Sequence, residues 1–181
     1  MKITATPITM TTAEAMKKAR QGGNVFGKAM YGGGEITLKL IYLESREVIM
    51  RLNYQPAPLI KWLGLSEKFK KPSQKIRMMV EGTRCTASYA EEEVKTVEIE
   101  VEKEESIQKT EFSDEKIFDA AKRAALRMVR RQIGKVAYAE LESMRSIYRP
   151  YYVAFYGKYE MGARIRYLPI EADGNRVQKS L

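Results

Sequence analysis

The chain has 181 residues, of which 32 are Lys or Arg and 23 are Asp or Glu, so its formal net charge is +9. It contains no His and a single Cys, Cys85. This composition excludes Ser-His-Asp and Cys-His catalysis, His-containing zinc sites, intramolecular disulfides and iron-sulfur clusters. We therefore expect no metal, no cofactor and no enzymatic activity.

Hydrophobic residues make up 44% of the chain, which is enough for a core in one domain or in two small ones. Residues 1–10 lack the apolar run of a secretory signal, and no window approaches the roughly 18 consecutive apolar residues of a membrane-spanning helix. We expect a soluble, cytoplasmic protein.

The first predicted element is a helix over Thr11–Gln21, followed by the Gly-rich stretch Gly22–Gly34. In that stretch Lys28 precedes Ala29, where a phosphate-binding loop needs Ser or Thr, so the glycines indicate a connector rather than a nucleotide site. Residues Glu35–Tyr54 then predict either two strands or one long bent strand interrupted near Glu44–Glu47.

The next segment, Gln55–Gln74, is an insertion that mixes apolar and basic residues and contains the only Trp of the chain. Three interpretations remain open: core residues tucked under the sheet, a docking site for another chain or for a second copy, or an amphipathic membrane-surface element. As a candidate interaction surface it comprises Leu59, Ile60, Lys61, Trp62, Leu63, Leu65 and Phe69.

A hairpin is predicted for Lys75–Val80 and Thr83–Ser88, with Cys85 as a buried and unreactive thiol. The strand Val97–Glu102 alternates Val, Ile and Val with Glu, which predicts that its apolar side chains face the core and its carboxylates face solvent.

A second helix is predicted for Ser113–Gln132, with Ser113 as its N-cap and apolar residues at helical spacing. The aromatic and branched residues of Tyr151–Tyr159 and Arg164–Ile170 predict a hairpin, and a further turn is expected at Ala172–Asn175.

Four short matches recur in the same order along the chain, the first three at a nearly constant offset. Gly27–Tyr31 is similar to Gly134–Tyr138, and Val48–Tyr54 is similar to Val153–Tyr159. These matches predict an internal duplication of a helix-plus-antiparallel-hairpin unit, with helices on one face of an antiparallel sheet, and hence an α+β fold. The predicted organisation is one globule with a first unit at 1–90, an acidic connecting strand and loop at 91–112, and a second unit at 113–181.

Charge is distributed in three blocks. Counted by sign, residues 1–90 carry +9, residues 91–120 carry −8 and residues 121–181 carry +8. An acidic block of this size can neutralise one of the basic surfaces within the same molecule, so the net charge alone is weak evidence for a polyanionic partner.

Two functions follow from these patterns. The first is a non-enzymatic protein-protein interaction or assembly module that uses the insertion, with a homo-oligomer as one form of it. The alternative is a nucleic-acid-binding domain in which aromatic rings stack on bases beside phosphate-binding cations. Its predicted surface comprises Arg149, Tyr151, Tyr156, Lys158, Arg164 and Arg166.

Overall fold

The computed structural model describes residues 1–21, 35–55, 62–63, 73–133, 136–157 and 166–174. Within them the chain forms two helices, α1 (Thr12–Gln21) and α2 (Asp114–Ile133), and a short 3-10 turn at Glu104–Ser106. The strands are β1 (Lys2–Ala5), β2 (Ile36–Gln55), β3 (Gln74–Glu81), β4 (Thr86–Tyr89), β5 (Val97–Glu100), β6 (Ile107–Gln108), β7 (Val136–Tyr156) and β8 (Arg166–Glu171). The predicted α+β class is confirmed.

The strands form a mixed, mostly antiparallel sheet with the order β4-β3-β2-β7-β1-β5, in which β6 pairs with β2 and β8 pairs with β7. The parallel pairs are β1 with β7 and β2 with β6. The β2–β3 ladder runs from Ser45 opposite Glu81 to Leu52 opposite Gln74. The β7–β8 ladder runs from Tyr151 opposite Glu171 to Tyr156 opposite Arg166.

Two strands are unusually long. β2 is a single continuous strand, which decides between the two predictions for Glu35–Tyr54. β7 begins at Val136, well before the predicted start at Tyr151. Its first part is mostly exposed and carries Glu142 and Arg145 among its apolar residues, so the hydrophobic alternation that marks a half-buried strand is absent there.

The chain divides into two compact units. Unit 1 consists of residues 1–44, 95–109 and 147–176, and unit 2 consists of residues 45–94, 110–146 and 177–181. Each unit therefore draws on all three of the consecutive segments 1–90, 91–112 and 113–181. The long strands β2 and β7 each contribute residues to both units.

The core of unit 2 lies between α2 and the strands β2 and β3. Alternate residues of the two strands share one face, as the two-residue period of a strand requires, and helix residues at i, i+4 and i+8 cover them. The buried residues of this core are Val48, Met50, Leu52, Ile76, Met78, Val80, Ala87, Ile117, Ala120, Ala121, Ala125 and Val129. The small alanines let the helix approach the strands closely.

Unit 1 contains two smaller clusters. In one, Ala15 and Ala19 of α1 pack against Tyr152 and Ala154 of β7 and Ile170 of β8. The other joins residues of several strands and consists of Ile3, Ala5, Tyr42, Val101 and Tyr148.

Both helices begin with a capping residue, which the sequence predicts for α2. The Ser113 hydroxyl accepts the backbone N–H of Lys116, which confirms Ser113 as the N-cap of α2. At the start of α1, the Thr11 hydroxyl accepts the Glu14 backbone N–H, and the Glu14 carboxylate accepts the Thr11 backbone N–H at 2.8 Å. This reciprocal pair is a capping box.

Two local predictions are wrong. Val97 is predicted to face the core but is 43% exposed, whereas Val101 is buried as expected. Cys85 lies in a turn rather than in a strand, at φ 53°, and its side chain is only partly buried. The Sγ atom of Cys85 lies 3.7 Å from the backbone carbonyl oxygen of Lys116 in α2.

No helix of the described residues is long and apolar enough to cross a membrane.

Candidate functional site

The insertion between β2 and β3 leaves the sheet from a fixed base. The eight-residue register of the two strands ends where Leu52 faces Gln74. Just beyond it, the Tyr54 hydroxyl donates a hydrogen bond of 2.7 Å to Oε1 of Gln74. Tyr54 also packs against the core of unit 2, and this partial burial raises the pKa of its phenol.

Of the seven residues of the candidate interaction surface, Trp62 and Leu63 are described, and both are exposed. The Trp62 side chain is 80% exposed and Leu63 is 52% exposed. The interpretation of these two side chains as core under the sheet is therefore wrong for the isolated chain. A binding partner that covers this exposed Trp and Leu would gain binding free energy, because burial of apolar surface stabilises a complex by roughly 25 cal/mol per Å².

The other members of the candidate interaction surface, Leu59, Ile60, Lys61, Leu65 and Phe69, lie outside the described residues. The same holds for Lys158 and Arg164 of the alternative nucleic-acid surface, for the Gly-rich connector over residues 22–34 and for the predicted hairpin turn at residues 160–163.

The described residues of the alternative surface do not share one environment. Arg149 and Tyr151 are buried, with 6% and 9% of their surface exposed, and the Tyr156 hydroxyl donates to the Ala19 carbonyl oxygen at 2.8 Å. Arg166 is exposed on β8. The buried Arg149 and Tyr151 are not accessible to bases or phosphates, and Tyr156 is partly buried with its hydroxyl engaged by Ala19. Of the described residues of this surface, Arg166 is therefore the one that is exposed.

Arg149 belongs instead to a buried polar cluster in unit 1. Its Nε donates to Oδ2 of Asp173 at 2.8 Å, and its Nη2 donates to Oδ1 at 2.9 Å. The Thr6 hydroxyl donates to the same carboxylate at 3.0 Å. Burial lowers the pKa of the Arg149 guanidinium, but the hydrogen bonds and charge of Asp173 outweigh it and raise the pKa overall.

Unit 2 has its own set of ion pairs around Glu47, whose carboxylate is buried. Arg77 lies 3.1 Å from it, and Arg145 donates to its other oxygen. The hydrogen bond to Glu47 raises the pKa of Arg145. Farther along the strands, Arg51 and Lys75 both bind Glu142 and lower its pKa.

These clusters pair carboxylates with guanidiniums or ammonium groups, so each acid is neutralised by its neighbours. The sequence predicts a turn at Asp173 and does not indicate that this residue pairs with Arg149. No signal along the chain joins the two, because the pairing depends on the β7–β8 ladder. Among the described residues there is no group of three or more Cys, Asp or Glu that could hold a metal ion.

Comparisons with protein-family models, with curated proteins and with solved structures find no match for this chain.

Proposed function

We propose that this chain is a non-enzymatic protein-protein interaction or assembly module whose contact surface is the insertion 55–74. The observation that carries the proposal is the exposure of Trp62 beside Leu63. The contact would be with another protein chain, for which a second copy of this chain is the simplest candidate.

Aromatic residues dominate binding energy at protein interfaces because they bury a large area with little loss of side-chain freedom. The insertion joins β2 and β3, which pair in a defined register up to Leu52 opposite Gln74. A membrane surface is the competing occupant, since Trp and Lys also favour the headgroup region.

Sedimentation velocity on the purified chain tests the proposal with the double variant Trp62→Ser, Leu63→Ser. We expect the wild type to associate reversibly and the variant to bind at least roughly thirty-fold more weakly, equivalent to about 2 kcal/mol. The variant should unfold within about 0.5 kcal/mol of the wild type, since exposed side chains contribute little to folding.

The matched control is the double variant Tyr138→Ser, Leu141→Ser. These residues are 43% and 46% exposed on β7, so the control removes a second exposed aromatic and leucine. It should associate as the wild type does. Equal losses in both variants would contradict the proposal. Binding to anionic vesicles without protein association would favour the membrane surface instead.

We further propose that the chain arose by duplication of a helix, a long strand and its hairpin partner. Supporting this is the recurrence of α1, β2 and β3 as α2, β7 and β8 in the same order. Each helix also packs on the hairpin of the other repeat: α1 on β7 and β8, and α2 on β2 and β3. The same proposal places both helices on one face of the antiparallel sheet.

A further inference from the structure

The exposed face of α2 carries a row of three arginines, Arg123, Arg127 and Arg130, which we name the α2 arginine row. Intervals of four and three residues place them on one side of the helix, opposite Ile117, Ala121 and Ala125, which are buried against the strands. With a rise of about 1.5 Å per residue, the row extends about 10 Å along the helix axis.

None of the three guanidiniums forms an ion pair or hydrogen bond within the part of the chain that the structure describes. Asp119 lies one turn before Arg123 on the same side of the helix and is itself exposed, but the two do not pair. The arginines of the strands differ in this respect, since Arg51, Arg77 and Arg145 each bind a carboxylate.

The acidic segment of the chain does not neutralise the row. Five of its exposed glutamates, Glu98, Glu100, Glu102, Glu104 and Glu105, form no ion pair with any described residue, and Glu93 pairs with Arg145 of β7 rather than with the row. The intramolecular compensation that the charge blocks suggested is therefore absent for these residues. The positive charge of α2 remains available to a ligand.

We propose that the α2 arginine row binds the phosphate backbone of nucleic acid. Guanidinium groups donate two parallel hydrogen bonds to phosphate oxygens, and duplex DNA carries one negative charge per about 1.7 Å of its axis. A row about 10 Å long therefore faces several phosphates at once.

A polyanion is favoured over an acidic protein surface because its charges follow one another along a line at short, regular intervals, as the three guanidiniums do along the helix. The net charge of +9 also attracts it from a distance. A second copy of this chain carries the same net charge and gains none of that attraction. The row shares no residue with the set Arg149, Tyr151 and Tyr156 or with the insertion.

The test is fluorescence anisotropy with a labelled DNA duplex of arbitrary sequence over a series of salt concentrations. The variant Arg123→Gln, Arg127→Gln, Arg130→Gln keeps helix propensity nearly constant, because Arg and Gln are similar helix formers. We expect it to bind at least roughly ten-fold more weakly at low salt. The slope of log K against log salt should fall in magnitude by up to about 3, since each phosphate that the variant no longer neutralises accounts for about 0.9.

The matched control is Lys17→Gln, Lys18→Gln, Arg20→Gln on α1, which removes three positive charges from exposed residues elsewhere. It should retain most of the affinity and slope. Circular dichroism establishes that both variants remain folded. Equal losses in the two variants would overturn the proposal, because binding would then follow net charge alone.

Two further results would overturn it: no binding of the duplex even at low salt, or binding of polyglutamate at the same affinity per charge. The Trp62→Ser, Leu63→Ser variant should bind the duplex as the wild type does. This outcome separates the α2 arginine row from the insertion, so either proposal can fail without the other.

Discussion

Arg149 and Asp173 form a buried ion pair in unit 1, with two hydrogen bonds between them and a third from Thr6. Burying two charges costs several kcal/mol, and the pair offsets that cost only while its geometry is complete. Without Asp173 the buried guanidinium keeps its charge and loses its hydrogen-bonded counter-ion, because Glu171, 4.0 Å away and 40% exposed, is the more distant carboxylate. The cluster is therefore sensitive to loss of either partner.

The substitution Asp173→Ala should lower the free energy of unfolding by about 3–5 kcal/mol, because it leaves Arg149 buried without its carboxylate. Thr6→Val, which removes one hydrogen bond to the same charged carboxylate, should cost about 1.5–3 kcal/mol, less than the loss of the carboxylate itself. Urea unfolding monitored by circular dichroism measures both. Similar, small losses in the two variants would show that the Arg149 guanidinium reaches solvent.

For single residues, the residue type alone does not predict whether the side chain is buried or exposed. Arg149 lies among tyrosines on a strand, a pattern that is usually solvated, and its partner is 24 residues farther along the chain. Trp62 departs from expectation in the opposite direction. A lone Trp is usually well buried, and only the folded arrangement places it in solvent.

The start of α1 is determined by local sequence. The four residues Thr11–Glu14 contain the whole capping box, so no distant partner is needed to form it. By contrast, the first part of β7 is held by cross-strand ion pairs such as Glu142 with Arg51. Because those partners are distant in sequence, local patterns predict too short a strand.

The capping box makes the stability of α1 dependent on pH. Hydrogen bonds from Thr11 lower the pKa of Glu14 below its ordinary value of 4.5. A carboxylate whose pKa is lowered by folding stabilises the folded state above its unfolded pKa, and this contribution is lost as pH falls through the folded pKa. Glu14→Gln keeps the capping geometry but does not titrate.

We therefore expect the wild type to be more stable than Glu14→Gln at neutral pH, and the difference to shrink as the solution is acidified through the folded pKa. Unfolding titrations at several pH values measure it. A difference that stays constant across the acid range would contradict the role of the Glu14 charge. Thr11→Ala, which removes the cap itself and one of the hydrogen bonds to the Glu14 carboxylate, should cost about 1 kcal/mol at neutral pH.

At the scale of the whole molecule, the compact units do not follow the order of the chain. Each of the two units takes a helix from one proposed repeat and a hairpin from the other. The sequence predicts the proposed repeats because their segments share local patterns. It does not predict that α1 packs on β7 and β8 and α2 on β2 and β3, because the pairing of a helix with a distant hairpin leaves no periodic signal.

This exchange predicts that neither half folds alone. Fragments 1–112 and 113–181 should each lack a complete unit, because α2 and its β2–β3 partner are separated by the cut, as are α1 and β7–β8. Each fragment should give a weak circular dichroism signal, and an equimolar mixture should recover the spectrum and cooperative unfolding of the intact chain. A fragment that folds by itself would contradict the interleaved units.

The two proposed surfaces also respond to salt in opposite directions. Association through Trp62 and Leu63 is apolar and occurs between chains of like net charge, so salt should strengthen it by screening their repulsion. Nucleic-acid binding by the α2 arginine row should weaken as salt rises. A salt series on one protein sample therefore distinguishes them.

The emission of Trp62 tests the assembly proposal most directly, because it is the only Trp in the chain and reports on the contact surface alone. We predict that dilute protein shows the red-shifted, readily quenched emission of an exposed indole. As concentration rises, emission should shift to the blue and become protected from iodide, in step with the mass from sedimentation equilibrium. A monomer whose Trp62 stays fully quenchable at every concentration, or association with no change at Trp62, would contradict assembly through the insertion.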